Sequence, residues 1–481
     1  MRIRDAVTRA ANKLIKPEHW VWLAAGTGAL VDLRAGVPEL DDPAGGAKWD
    51  AARTVRAELL VELLVGARTP LRGGRLRAVQ LRGARITGWL NLEAVTLGCP
   101  LLLQDCHLEQ WINLNEARAP VVRLPGCHLP VLAAEQLETR GNLQLDRGFT
   151  ATGEVRLPGA HIGGQLNLNG ASLTNPNGPA LNADRLTVDQ GMYCWEGFTA
   201  TGEVHLVGAH IGGQLDCTDA TMRNDSGPAL HAERLQVDQN VLLSGRFEAV
   251  GAGGGVTLDL SQARIGGVLE FAPARLEHTA NPQARLALDG LTYTGLPAGI
   301  SSSDWLRLLR QGTKSYTAQP YQQVAAAHRA AGHDGEVRRI LMAQRQDQLD
   351  RGALTGRADR AWARLTGLTL GYGYQPWRAL LALVAIATTA VVLALTLGAH
   401  GGVARVDPKP PAATRCSAVE RVGVGLDLGV PLIKTGIRDH CDTTASTTGQ
   451  ALTATGWGLQ LLAWAFATLF VAGFTGIVRK T

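Results

Sequence analysis

Imidazoles, carboxylates and carboxamides recur at a fixed distance in this chain, and they are the first residues to weigh as chemistry. His161 and His210 stand 49 residues apart; so do Asp189 and Asp238, and so do Gln165 and Gln214. Histidine and aspartate are metal-ligand and acid–base types. The spacing argues against both uses. Side chains that return once per repeat lie along a line, whereas a metal needs ligands that converge on one point and a glycosidase needs two carboxylates facing one bond. Arg85 and Arg264 occupy the histidine slot in related segments, which suits an outward, solvated position. The six residues are therefore read as a candidate interaction face, with no catalytic and no metal-binding residue assigned.

Other chemistry-bearing types lead no further. GTGALVD at Gly26–Asp32 and GVGLDLG at Gly423–Gly429 are glycine-rich, but neither lies between a strand and a helix as a nucleotide-binding turn requires. Cys99, Cys106, Cys127, Cys194 and Cys217 make no CxxC, and no histidine pair accompanies the seven-residue spacing of Cys99 and Cys106, so zinc is not expected. Cys217 stands where the other repeat has Leu168, as a small core residue would. Cys416 and Cys441 stand alone in one loop and are candidates for a disulfide, with two unpaired thiols as the alternative. No motif names a cofactor, and the cofactor is left unknown.

The element that must position these residues is a 49-residue unit written twice, from Gly153 and from Gly202, with 26 of 49 positions identical. Inside it, apolar residues come in pairs two apart every five or six positions: Val155/Leu157, Ala160/Ile162, Leu166/Leu168, Ala171/Leu173, Leu181/Ala183 and Leu186/Val188. Alternation within a pair is a strand signal, the Gly and Asn between pairs are turn signals, and no helical stripe fits a spacing of five. Strands this short bury a core only by stacking on copies of themselves. RITGWLNL at Arg85–Leu92 and RIGGVLEF at Arg264–Phe271 extend the pattern, and Phe149, Phe198 and Phe247 recur 49 apart as an aromatic ladder. The fold class expected is mainly β: a right-handed parallel β-solenoid over 74–295, pentapeptide-repeat-like, with on the order of ten coils and a length of about 50 Å.

The flanks read differently. Residues 1–73 hold a basic amphipathic segment (Met1–Lys16) and a helix from Ala51 to about Val65 that would cap the open strands. The region 296–368 reads as a helical hairpin, with Pro320 opening one helix and Gly332 closing it. In 369–481, apolar spans are expected at about 377–398 and 457–478 with a loop 399–456 between them. Within that loop, Ala418–Ile437 is apolar enough to dip into a membrane. Arginines concentrate in Arg338–Arg364, which by positive-inside counting puts the solenoid and both termini in the cytoplasm. A net charge of +5 with dispersed basic residues excludes a nucleic-acid stripe.

ALVDLRAG, DDPAGG and ARTVRAELL near the start, GARI in the solenoid, QPYQQVAAAHRAAGHDGEVRRILMAQRQ, GYGYQPWRALL and VAGFTGIVRK together resemble an actinobacterial family of membrane-anchored β-solenoid proteins often labelled membrane-associated oxidoreductases. The resemblance implies a bacterial plasma-membrane location and carries the oxidoreductase label without any catalytic residue to map. The expected role is a scaffold or protein-interaction module that meets the lipid bilayer and a protein partner or a second copy. The oxidoreductase and a two-helix pore are the alternatives.

Overall fold

The computed structural model describes residues 16–66, 76–353, 356–406, 415–430 and 434–475. The amphipathic segment expected over Met1–Lys16 lies outside them except for Lys16, as does the end of the second span. The chain forms two compact units, Met1–Val337 and Arg338–Thr481.

In the first unit every strand pairing is parallel, and each coil of the chain makes four sides. The first side runs from Val31–Asp32 through Val79–Arg82 to Leu269–Phe271, ten strands in all. The fourth runs from Arg118–Ala119 to Arg264–Ile265, seven strands. The second and third sides join into one 17-stranded sheet because Ser172–Asn182 and Thr199–His205 run unbroken through their shared corner. The result is a β-solenoid of about nine turns, roughly 40 Å long at the usual spacing of parallel strands.

Coil length follows from the register. Leu143, Leu166, Met192, Leu215 and Val241 lie one above another, at successive steps of 23, 26, 23 and 26 residues. The 49-residue repeat is therefore two coils, a plain one and one lengthened by the loops around Asn175–Gly178 and Asn224–Gly227. All twelve residues of the inward pairs predicted above are buried. The phenylalanine ladder takes a different form: the column reads Phe149, Ala171, Phe198, Ala220, Phe247, linked by bonds such as Ser172 N–H to the Phe149 carbonyl and Thr199 N–H to that of Ala171. Phenylalanine and alanine alternate in this column, so it too repeats every two coils.

Glycine in the HIGG motif answers a close approach. A Cβ on Gly163 would lie 2.8 Å from the carbonyl oxygens of Thr139 and Arg140, and one on Gly212 would lie 2.5 Å from that of Asp189. Both positions face the backbone of the coil before, where no side chain fits.

Each end of the solenoid is covered. At the start, α1 (Pro17–Thr27) buries Val21 and Ala25, and α2 (Ala57–Leu64) buries Leu59, Leu60, Leu63 and Leu64. The helix expected from Ala51 is shorter than predicted. Ala51–Arg53 is a 3₁₀ turn, and Thr54–Arg56 is a strand paired with Arg85–Thr87. The open edge of the first coil supplies hydrogen-bond partners, and β-branched Thr54 and Val55 take them. Arg53 fastens this cap: it stacks 3.5 Å over Trp49 and donates to the Gly83 carbonyl at 2.8 Å and to Asp41 at 2.9 Å. At the far end, α3 (Ser302–Gly312) sets Trp305 edge-on against Phe271 at 5.4 Å. From α4 (Gln319–Ala330), Gln319 and Gln323 donate to the carbonyls of Leu291 and Tyr293 at 2.6 and 2.7 Å. Those amides satisfy last-coil groups that have no further strand. The helix α5 (Asp334–Asp350) follows a left-handed Gly332 and crosses from the first unit to the second.

The second unit holds α6 (Arg357–Leu370), α7 (Trp377–Leu397), α8 (Ala418–Gly429) and α9 (Thr447–Phe474). Two helices are long and apolar enough to cross a membrane, Trp377–Gly402 and Thr447–Phe474, each holding an 18-residue stretch of mean hydropathy 2.6 and 1.6 respectively. At 1.5 Å per residue each exceeds a hydrocarbon core of about 30 Å. Leu381, Val384, Leu461 and Val471 point outward and exposed, as lipid-facing residues would. The second helix starts ten residues before the predicted 457, with Ser446 capping it through the Gly449 N–H. The connecting segment is correspondingly shorter and is itself folded. Val403–Arg405 pairs antiparallel with Cys441–Thr443, and Cys416 and Cys441 are joined in a disulfide. The segment expected to dip forms α8, begun by a Ser417/Glu420 capping box. It packs along α7, where a Cβ on Gly425 would meet the Val391 Cα at 2.7 Å and one on Gly429 the Ala390 Cβ at 2.3 Å.

Candidate functional site

The fourth side of the solenoid carries the histidines and aspartates singled out from the repeat. His161 and His210 begin strands of that side and are exposed, and each reaches the aspartate one coil on: His161 Nε2 to Asp189 Oδ1 at 2.8 Å, His210 Nε2 to Asp238 Oδ1 at 3.1 Å. What looked like two separate ladders is a row of imidazole–carboxylate pairs. Arg118 and Glu138 continue it at 2.9 Å, and Arg264 stands in register beyond Gln236. Gln165 and Gln214 do not belong to this row. They are half-buried at the corner leading into the first side, where their carbonyls accept from Leu143 and Met192. Arg85, grouped with the histidines by its motif, sits on the second side, paired to the strand at His107. All four sides share the same apolar pairs at five- or six-residue spacing, so a local motif does not say which side it occupies.

Beside the row, along the corner between the third and fourth sides, runs a trough of about 770 Å³. Glu116, Glu135 and Glu138 line it together with Arg118, His161 and Arg185. The wall mixes signs closely, which favours a polar peptide or protein surface over a highly charged polymer.

The third side holds a second cluster that the repeat spacing did not single out. Glu203 lies 3.1 Å from His205 Nε2 and 3.6 Å from His231 Nδ1, and the two imidazoles meet edge to face at 5.5 Å. His205 and His231 are register partners on adjacent coils, and Glu203 precedes His205 by two residues in an extended strand. Burial works to raise the Glu203 pKa, but the two imidazoles beside it outweigh burial and bring the carboxyl down to about 2. Its carboxylate in turn raises both histidines against the opposing effect of burial. These three donors are the group among the described residues of the solenoid that could hold a metal ion. A signal existed in the sequence: the first copy has Glu154, Arg156 and Asn182 at the same places, so two residues in contact across coils both became histidine beside an unchanged glutamate.

The five unpaired cysteines are buried in the solenoid. Burial pushes the Cys127 thiol well up, and the neighbouring Cys217 together with burial does the same for Cys194. Thiols held protonated in a core are poor nucleophiles, in keeping with a packing role.

Comparison with family models, with curated proteins and with solved structures gives no match for this chain. What the fold itself defines is a class: a β-solenoid of about nine turns, closed at both ends and continued by helices of which two can cross a membrane.

Proposed function

We propose that the protein is a membrane-anchored scaffold whose solenoid, of pentapeptide-repeat type, presents its fourth side to a protein partner in the bacterial cytoplasm. The observation that carries this reading is the exposed row Arg118–Glu138, His161–Asp189, His210–Asp238 and Arg264, held at regular spacing on a rigid surface beside a polar trough. Regularly spaced pairs of opposite sign suit recognition more than energy, since each exposed pair adds about 0–1 kcal/mol to stability. Both ends of the solenoid are capped, so association runs through its sides and not end to end. The arginine excess in Arg338–Arg364 supports an inward-facing solenoid. The full chain is purified in mild detergent beside a variant carrying Glu138→Lys, Asp189→Lys and Asp238→Lys. A stoichiometric partner retained by the first and lost by the second is expected; equal retention refutes the reading. Membrane-impermeant thiol reagents on intact cells should reach Cys416 only after reduction.

A further inference from the structure

We propose that Glu203, His205 and His231 form a binding site for a zinc-class divalent cation on the third side of the solenoid. Zinc bonds to nitrogen and oxygen of about 2.0–2.1 Å set tetrahedral ligand atoms roughly 3.3 Å apart. The carboxylate–imidazole separations here are 3.1 and 3.6 Å, and the three ligand atoms all lie within 4.8 Å of one another. His205 Nε2 is shielded from solvent yet has no hydrogen-bond partner, although it faces the Glu203 carboxylate. A cation between them would satisfy both.

A carboxylate also stands behind each ring, at ion-pair and not hydrogen-bond distance. When one ring nitrogen ligates, the other is oriented by a carboxylate behind it. Asp184 Oδ2 lies 3.7 Å from His205 Nδ1, and Glu233 Oε2 lies 4.0 Å from His231 Nε2. Asp259 follows His231 in register on the next coil. In the first copy the equivalent carboxylate, Glu154, is balanced by Arg156 at 3.7 Å. The second copy has no arginine there; Arg234 engages only Glu233, at 3.2 Å. The local acidic excess is what a divalent cation neutralises. Three protein donors leave a fourth position open toward solvent, where water completes the coordination.

The test uses the full chain in detergent, carrying no polyhistidine tag, stripped with chelator and titrated with Co²⁺ and then Zn²⁺. One Co²⁺ per chain is expected, with visible ligand-field absorption of a low-coordinate nitrogen/oxygen site, displaced by Zn²⁺. The double variant His205→Arg, His231→Asn restores the residues that the first copy carries in the same register, and its fold is checked by circular dichroism; it should bind Co²⁺ at least 100-fold more weakly. Asp184→Asn should keep the stoichiometry and lower affinity about 10–100-fold. Absence of stoichiometric binding by the unaltered chain, or undiminished binding by the double variant, overturns the assignment. Replacing His161 and His210 by Ala should leave the Co²⁺ titration unchanged, and loss of binding there instead would also refute it.

Discussion

Replacing Phe198 with alanine tests whether the solenoid core is built as described. Phe198 is fully buried, and the residues above and below it in its column are Ala171 and Ala220, each offering one methyl group. The nearest rings in the column, Phe149 and Phe247, are two coils away, about 10 Å at the strand spacing. None of these can lean into the space. The backbone cannot collapse either, because Thr199 N–H bonds to the Ala171 carbonyl and Thr221 N–H to that of Phe198, both at 2.9 Å. Lost burial accounts for about 2–3 kcal/mol, and the unrelaxed cavity raises the total to about 4–5 kcal/mol, the upper part of the range for such changes. Since a solenoid opens locally, coil by coil, the effect belongs to the coils around the cavity. Amide hydrogen exchange followed by mass spectrometry should show Thr199–Arg223 exchanging roughly 10³-fold faster, at 1.4 kcal/mol per tenfold, with α7 and α9 unchanged. Phe198→Leu should cost about 1–1.5 kcal/mol. An acceleration below tenfold for Phe198→Ala, or one spread evenly over both units, would contradict the alternating packing.

Arg53→Ala removes a buried guanidinium that joins Trp49, Asp41 and the Gly83 carbonyl, and should destabilise the N-terminal cap by about 3–5 kcal/mol, read as faster proteolysis between α1 and α2 with the later coils protected. Gly425→Val would drive a branched side chain into the backbone of α7 and should displace α8, lowering the melting temperature of the detergent-solubilised chain by several degrees; an unchanged melting curve would show that the contact is loose. Burial and the stacked ring of His107 hold His128 below its ordinary value of 6.5. A depressed imidazole contributes stability above that value and loses it as pH falls through the folded-state pKa. Acidification below about 6.5 should therefore loosen the early coils, and His128→Asn should flatten that dependence.

The periodic apolar pairs made the solenoid legible without coordinates. A pair two apart has only one way to put both residues inside, and Gly or Asn between pairs has only one use. The two membrane-length helices were equally plain, because nothing but length and the lack of charge is required of them. The second span was misjudged by ten residues, since threonine and glycine in Thr447–Gly456 carry little helical signal of their own while tertiary packing, Gly456 against Leu428, holds them helical. Sidedness was beyond the sequence. Four sides share one pattern, so Arg85 was placed with histidines it never neighbours and Gln165 with a face it only borders.

What the sequence alone determined is the stacking itself: which residues point inward and that they must find one another in copies. What the tertiary structure decided is who meets whom. Coil length sets the vertical neighbours, and a loop of a few extra residues in alternate coils is enough to bring His231 onto His205 and its strand-mate Glu203, or Phe198 between two alanines. Contacts across coils join residues some 20 to 28 positions apart, a distance no local periodicity encodes, and the chemistry of this molecule lies in those contacts.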